Sequence, residues 1–492
     1  MNPTQDTLDL MKAAYGNDIS KSITTGAGLV AYDLQGPAKN LYPVFTPLRN
    51  KIPRVGGGVG VATNWKVISS IVGSGFDSSG WVPEGQRSGR MSYTTAPKAA
   101  NYITMGEEDS VTFEAVNAGK TFEDVRASMS VRLLQKVMLK EENAIMHGNA
   151  SIDLGTPTAP TLSASGTGAT LPGAPTTYSV IVVGLTASGF YNSSLAAGVA
   201  TTKTITGADS ATFTLNGGSS NQSAAATQAI TLGQNLVCST PAIRGAAAYA
   251  WYVGAAGAEK LEAITTINSC TFSAALTGGT RQAATAITAD CSKNAGLAFD
   301  GLLTTGLNPA NQAYVKTMAT GNSGLTSSGR GSVVEIDTML QSMWDNYQIS
   351  PSVLYMNSQE IKNVTNKVMA DANGSLVRYN SNGQGNQPYA ITAGGVVSAY
   401  FNPFMPDGGA IIPVKIHPKM PPGMIMGWAE ELPMYYQNNE VQNVAEMKTR
   451  QDYYQIDWPL RTRQYETGVY AESVLAIYAT FAIGIICNIN NG

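Results

Sequence analysis

Residues 121–147 read TFEDVRASMSVRLLQKVMLKEENAIMH, and the reading of this stretch decides the fold. It is expected to be one long helix. Thr121, with Asp124 three residues on, fits a capping box that satisfies two orphan amide donors. Glu123 and Asp124 sit where the helix dipole favours negative charge. Gly148 follows as an expected left-handed stop, and no proline or glycine interrupts the run. Twenty-seven residues at about 1.5 Å each span roughly 40 Å, long for a globular helix. Val125, Met129, Leu133 and Val137 recur every four residues, and Ala127, Val131, Leu134, Met138 and Ile145 form a second apolar patch on another side. A helix with two apolar faces must be covered on two sides. It is therefore either the central helix of a large domain or a beam that packs on its own sheet and on neighbouring subunits. Arg132, Lys136 and Lys140 run beside the first stripe; like charges four apart repel weakly, so something outside the helix must favour them.

The bulk composition agrees with a chain that shares its surface. Its 492 residues allow about two to four domains. The net charge of −3 advertises no nucleic-acid field. Charged residues make up only 13%, about half the usual share, which points to surface hidden in an assembly or to a small-residue β domain. Cys238, Cys270, Cys291 and Cys487 show no metal spacing. Free thiols of a reducing compartment are expected, with a Cys238–Cys270 bridge inside a β region left open. The N-terminal MNPTQDTLDLMKAAYG lacks the pattern of a signal peptide. Val474–Ile486 is too short for a membrane span and reads as a buried strand or helix.

Upstream of the helix, residues 1–54 form an arm. A short amphipathic helix (Leu8, Leu10, Met11, Ala14) precedes Gly36-Pro37, Tyr42-Pro43, Thr46-Pro47 and Ile52-Pro53, each proline pushing its predecessor toward extended geometry. Such an arm has no core and must lie on something else. Residues 55–118 open with RVGGGVG, which lacks the GK[ST] ending of a phosphate loop, and continue as a projecting two-stranded hairpin with a small-residue tip at 69–80. Such a hairpin is barely stable alone. Glu84, Arg87 and Arg90, and the acidic run Glu107, Glu108 and Asp109, are therefore candidates for contacts between subunits.

Downstream the composition shifts. Residues 155–294 carry nine charged residues, against 56 in the other 352. After the linker 156–160, short strands recur between Gly/Ser/Asn turns (TYSVIVVGLT, TKTIT, ATFTL, YAWYVGA, KLEAITT, CTFS). This is the pattern of an all-β sandwich, inserted at 155–295, with Trp251 as a core aromatic and Tyr178, Val180 and Val182 alternating on one half-buried face. Residues 296–440 resume a mixed domain. A helix over 332–344 buries Val333, Ile336, Met339, Leu340 and Met343; 351–356 is a buried strand; Asn357 or Ser358 caps the next helix; 372–389 is an Asn/Gly-rich loop expected to be mobile. Residues 441–492 close the chain as extended pairs.

Little points to catalysis. His147 sits at a helix C-terminus, where a cation is favoured, and His417 reads as a packed loop histidine. No GxSxG, HExxH, Walker A or metal-spaced cluster occurs, so no enzyme, cofactor or metal is expected.

The order of these parts resembles the major capsid protein of tailed double-stranded DNA bacteriophages. The resemblance lies in the extended arm, WVPEGQR, the stretch AANYITMGEEDSVTFEAVNAGK running into the long helix, AGLAFDGLL, VKIHPKMPPGMIMGWAEELP and WPLRTRQYETGVYAESVLAIY. It implies an α+β capsid fold of the Hong Kong phage type. The parts would be an N-terminal arm (1–54), an E-loop hairpin (55–118), a P-domain with its spine helix (119–154), an inserted immunoglobulin- or fibronectin-like sandwich (155–295), an A-domain (296–440) and C-terminal P-domain strands (441–492). It further implies self-assembly into hexamers and pentamers of an icosahedral head, built in the host cytoplasm, with the insertion decorating the outer surface. The partners implied are a separate scaffolding protein, unless the chain is the mature form, since no long, charged helical segment precedes the arm and hairpin; a portal; possible decoration proteins; and packaged DNA held by nonspecific contact, without a membrane. The Arg132, Lys136, Lys140 row would then pair with a neighbour's acidic residues or face the genome. A surface adhesin or glycan-binding sandwich, and a ring-forming tail-tube protein, are the alternatives from other classes.

Overall fold

The computed structural model describes residues 41–76, 78–120, 123–171, 176–321, 323–328, 331–370, 397–405, 408–433 and 441–491. The expected helix around Leu8, the cap at Thr121 and the 372–389 loop lie outside them.

The chain enters through a short helix, α1 (Pro47–Lys51), and β1 (Arg54–Val55). β2 (Ala62–Val72) and β3 (Ser92–Asn101) then pair only with each other, as the projecting hairpin. β4 (Ile103–Thr112) leaves it and joins the main body, so the acidic run at 107–109 is not on the hairpin as the sequence suggested. Pairing decides this: strand β4 lies antiparallel to a C-terminal strand from Ile103↔Ser473 to Thr112↔Gln464. After α2 (Phe113–Gly119), the long helix α3 runs Val125–His147. Its cap is Asp124, whose carboxylate accepts from Arg126 N and Ala127 N at 3.1 and 3.2 Å.

Gly148 ends the helix in an extended conformation (φ −48°, ψ 135°), not the left-handed one expected. Glycine is needed there for room. A Cβ would stand 2.3 Å from Phe299 O and 2.7 Å from Ala144 O, because residues 299–301 cross the helix end and Gly301 N donates to Gly148 O at 2.9 Å.

The low-charge region builds two antiparallel sheets. Along the chain come β5 (Thr161–Ser165), β6 (Thr176–Leu185), a short α4 (Ala187–Asn192), the hairpin β7 (Thr202–Thr206) and β8 (Thr212–Asn216), β9 (Ala226–Ile230), β10 (Asn235–Ser239), β11 (Ala248–Gly254), β12 (Lys260–Thr265) and β13 (Ser269–Phe272). One sheet is ordered β13-β10-β5, the other β12-β11-β6-β9. Trp251 is buried, and its indole donates to Thr265 Oγ1 at 2.8 Å. Strand β6 buries both faces: Val180 and Val182 point into the main core, Ile181 and Val183 into a second cluster with Tyr252 and Leu261. The single half-buried face read from Tyr178, Val180 and Val182 was therefore half of the burial, because residues around Val199, Ala284 and Ile287 roof the outer side.

The remainder comprises α5 (Leu302–Leu307), β14 (Tyr314–Thr317), α6 (Val334–Tyr347), β15 (Val353–Met356), α7 (Ser358–Ala370), β16 (Ala399–Asn402), β17 (Ala410–Ile416), β18 (Ile425–Trp428), β19 (Ala445–Asp457), β20 (Gln464–Ile477) and β21 (Ile483–Cys487). A six-stranded mixed sheet is ordered β14-β21-β18-β15-β17-β16. Helix α6 covers it with Val333, Ile336, Met339, Leu340 and Met343, all buried as their spacing predicts. Asn357 Oδ1 accepts from Gln359 N at 3.1 Å at the start of α7. The apolar run 474–486 is divided between β20 and β21, and no helix of the described residues is long and apolar enough to cross a membrane. The four-stranded sheet β1-β19-β20-β4 receives α3.

Candidate functional site: the two-sided helix, the hairpin and the arm

Helix α3 separates its two apolar faces. Met129, Leu133 and Val137 are buried with Val111 of β4 and Val469 of β20 in a small core of their own. The other face is only partly covered. Ile145 is buried where the helix enters the main core, but Ala127 is exposed, Val131 is 55% exposed and Leu134 37%. One apolar side is used within the chain and the N-terminal half of the other is left open.

Four residues beyond Val137 the buried stripe continues with a carboxylate. Glu141 and its neighbour Glu142 are buried and hold the arm. Glu142 accepts from Leu48 N (3.0 Å) and Arg49 N (2.7 Å), and His417 Nε2 lies 2.7 Å from its Oε1. Glu141 pairs with Arg49 (3.2 Å) and Arg54 (2.8 Å) and accepts from the Tyr453 hydroxyl. Both guanidinium carbons stand 5.0 Å from the Tyr453 ring centroid. Arg54 also meets Asp452 at 2.6 Å. Burial opposes the charge on Arg54, but Asp452 and Glu141 overcome it and raise its pKa. The cluster joins four segments far apart in sequence: the arm, α3, β19 and the turn after β17. The sequence reading did not single out Glu141 and Glu142. Their signal was position: carboxylates near a helix C-terminus oppose the dipole and require cations or amides to hold them.

The same helix end fixes the low-charge region. The His147 ring stacks on Tyr191 of α4, 5.1 Å between centroids, and Ser188 Oγ donates to His147 O at 3.2 Å. The Tyr191 hydroxyl donates to Met420 O at 3.1 Å. Burial lowers the His147 pKa to about 3, so the ring is neutral and is not the dipole-stabilised cation expected from its position. At the opposite end, Asn488 Oδ1 accepts from Asn268 N (2.8 Å), and Asn488 Nδ2 donates to Asn268 Oδ1 and Met318 O (3.0 Å each).

The charged candidates divide. Glu84, Arg87 and Arg90 are exposed on the hairpin's return and form no ion pair with a described residue. Glu107 pairs with Lys140 of its own chain, and Glu108 accepts from Tyr470 and from Trp458 Nε1. Asp109 is exposed and accepts from Ser110 N. Arg132 is 3.5 Å from Glu123, and Lys136 is exposed. Within the chain, Lys140 is engaged and Lys136 faces outward.

Within the glycine run 56–60, Gly58 serves packing. A Cβ at Gly58 would stand 2.3 Å from Tyr102 Oη, and Gly58 N donates to Thr449 O at 3.0 Å. Among the described residues no group of three His, Cys, Asp or Glu could hold a metal ion.

No protein-family model matches the chain, and no curated protein matches it either. Among solved structures it is similar to the capsid of the native GTA particle (9% identity, 94% of this chain and 97% of that one, TM-score 0.42). It is also similar to the holo-SrpI encapsulin complex from Synechococcus elongatus PCC 7942 (8%, 96% and 97%, TM-score 0.40). A third likeness is to the Cyanophage A-1(L) capsid asymmetric unit (10%, 95% and 99%, TM-score 0.40).

Proposed function

We propose that this chain is a shell-forming structural subunit, the major capsid protein of a tailed double-stranded DNA phage. It assembles into hexamers and pentamers that enclose the genome, with 1–54 as arm, 55–118 as E-loop region, 119–154 and 441–492 as P-domain, 296–440 as A-domain and 155–295 as an immunoglobulin-like insertion on the outer surface. A scaffolding protein, a portal, possible decoration proteins and nonspecifically held DNA are its partners, and the virion is its location. It performs no catalysis.

One observation carries this reading: the elements least able to stand alone hold the largest uncovered apolar side chains. The hairpin strands, about 35 Å long at roughly 3.3 Å per residue, expose Ile71 and Tyr93, and the segment between them exposes Phe76 (82%), Trp81 (94%) and Met91. The arm exposes Leu41 (92%), Tyr42 and Phe45. Apolar side chains of this size, concentrated on elements that cannot stand alone, fit a surface that neighbouring chains cover. A cleft of about 840 Å³ at the hairpin's base, lined by Trp65, Ala100, Phe299, Leu475, Tyr347 and Phe481, offers a complementary recess.

Light scattering and negative-stain microscopy of the purified protein, with and without a co-expressed scaffold, test the proposal. Closed particles of megadalton mass are expected. A stable monomer at high concentration in both preparations overturns it, and stacked rings would indicate a tail tube instead.

A further inference from the structure

We propose that Cys238 and Cys270 are a latent cross-strand disulfide, open in a reducing medium and closed by exchange with a low-molecular-weight disulfide. The two residues stand directly opposite each other in the antiparallel β10–β13 ladder, and both are free thiols. Both side chains belong to the packed interior of the sandwich, Cys238 fully buried and Cys270 partly buried against the same cluster as Leu236 and Phe272. Two positions along the ladder, Thr240 N donates to Asn268 O at 2.9 Å. By the alternation of antiparallel pairs, Cys238 and Cys270 therefore occupy a hydrogen-bonded site, with Cα atoms about 5.5 Å apart. That lies at the common disulfide separation, whereas the Cβ atoms must draw together by roughly 1–2 Å. Strand β13 is a sheet edge, paired on one side only, and can make that shift.

The order of events follows from access. Cys270 is the more accessible thiol, so its thiolate attacks one sulfur of the small disulfide. A mixed disulfide forms and one small thiolate leaves. The Cys238 thiolate then attacks the Cys270 sulfur; the protein S–S bond forms and the second small thiolate leaves. The two protons lost by the cysteines end on the two small thiols, and the pair is oxidised as the reagent is reduced. Burial raises the Cys270 pKa to about 12 and raises that of Cys238 as well, so closure is slow. The bond closes the segment 239–269, which contains β11, β12 and Trp251, and joins the edge strand β13 to its neighbour β10 within one sheet.

The full-length protein, purified reduced and folded, is incubated with oxidised glutathione, then unfolded, alkylated and mapped by mass spectrometry. The expected result is a Cys238–Cys270 cross-linked peptide, with Cys291 and Cys487 alkylated. Melting of the β-type signal should rise by roughly 5–10 °C. Cys270→Ser should give no cross-link and no rise. Four alkylated cysteines after long incubation, a glutathione adduct persisting on Cys270, or a link from Cys238 to another cysteine would each overturn the proposal.

Discussion

Replacing Glu142 by alanine should undock the arm while the rest of the chain keeps its fold. The carboxylate accepts from a buried amide, Leu48 N, and a partly buried one, Arg49 N, and lies against His417 Nε2, with the Glu142 and His417 side chains 2% and 0% exposed. Leaving a buried donor unpaired costs about 1–3 kcal/mol, so three orphaned donors would cost about 6 kcal/mol at the midpoint of that range if nothing relaxed. The arm can relieve part of this by moving α1 into water, which caps the loss at its docking energy; about 3 kcal/mol is the expected shift. At 1.4 kcal/mol per decade, protection of the α1 amides falls roughly 100-fold. Hydrogen exchange should show it at Leu48 and Arg49, and also at Asn50 and Ile52, whose amides bond within the same turn to Thr46 O and Leu48 O. Strands β19 and β20 should keep their protection. Glu142→Gln retains one oxygen acceptor and should give about half the effect on the logarithmic scale. If the four amides exchange within threefold of wild type in Glu142→Ala, compared in the same assembly state, the carboxylate does not hold the arm.

Two further outcomes follow from the same helix. The folded-state His147 pKa is about 3, below its unfolded value near 6.5. Between those values the unfolded chain binds the extra proton, so this contribution to stability is complete above pH 6.5 and declines as pH falls toward 3, with a slope of at most about 1.4 kcal/mol per pH unit. Denaturant midpoints measured against pH for wild type and His147→Gln check this; parallel profiles through that window would contradict it. Leu134→Asp and Val131→Asp, on the open face, should leave the far-UV spectrum and melting near wild type while abolishing particles in negative stain. Leu133→Ala, on the buried face, should instead destabilise the fold by about 2–4 kcal/mol. Normal particles from the double aspartate variant would show the open face to be solvated.

The parts of this fold that were legible in the sequence are those governed by local periodicity. The four-residue stripe Met129, Leu133, Val137 and the α6 set from Val333 to Met343 are buried as their spacing requires, because a helix presents one face regardless of what covers it. What escaped depends on long-range pairing. Strand β4 could be assigned to the hairpin because its residues favour a strand in either place; only registration with β20 puts Glu107 beside Lys140. Its place after the helix marks Gly148 as a left-handed stop, but the crossing of residues 299–301, about 150 positions away, sets its need for a small side chain. The second face of β6 likewise depends on a roof at Val199 and Ile287 that no alternation within the strand can announce.

The helix end shows why the low-charge region is part of the body. Were it a detachable module, its core would be separate from the main one, joined by the linker alone. Instead Val180, Tyr249 and Trp251 belong to the same buried cluster as Leu302 and Ile485. His147, Tyr191 and Ser188 tie it to α3, and Asn268 with Asn488 ties it to the residue following β21. A neutral buried imidazole and a buried amide pair are costly to leave unsatisfied, so each anchor resists separation of the sandwich from the body. His147, which receives α4 of the low-charge region, stands five residues beyond Glu142 and six beyond Glu141, so the low-charge region and the arm are both held at the C-terminal end of α3.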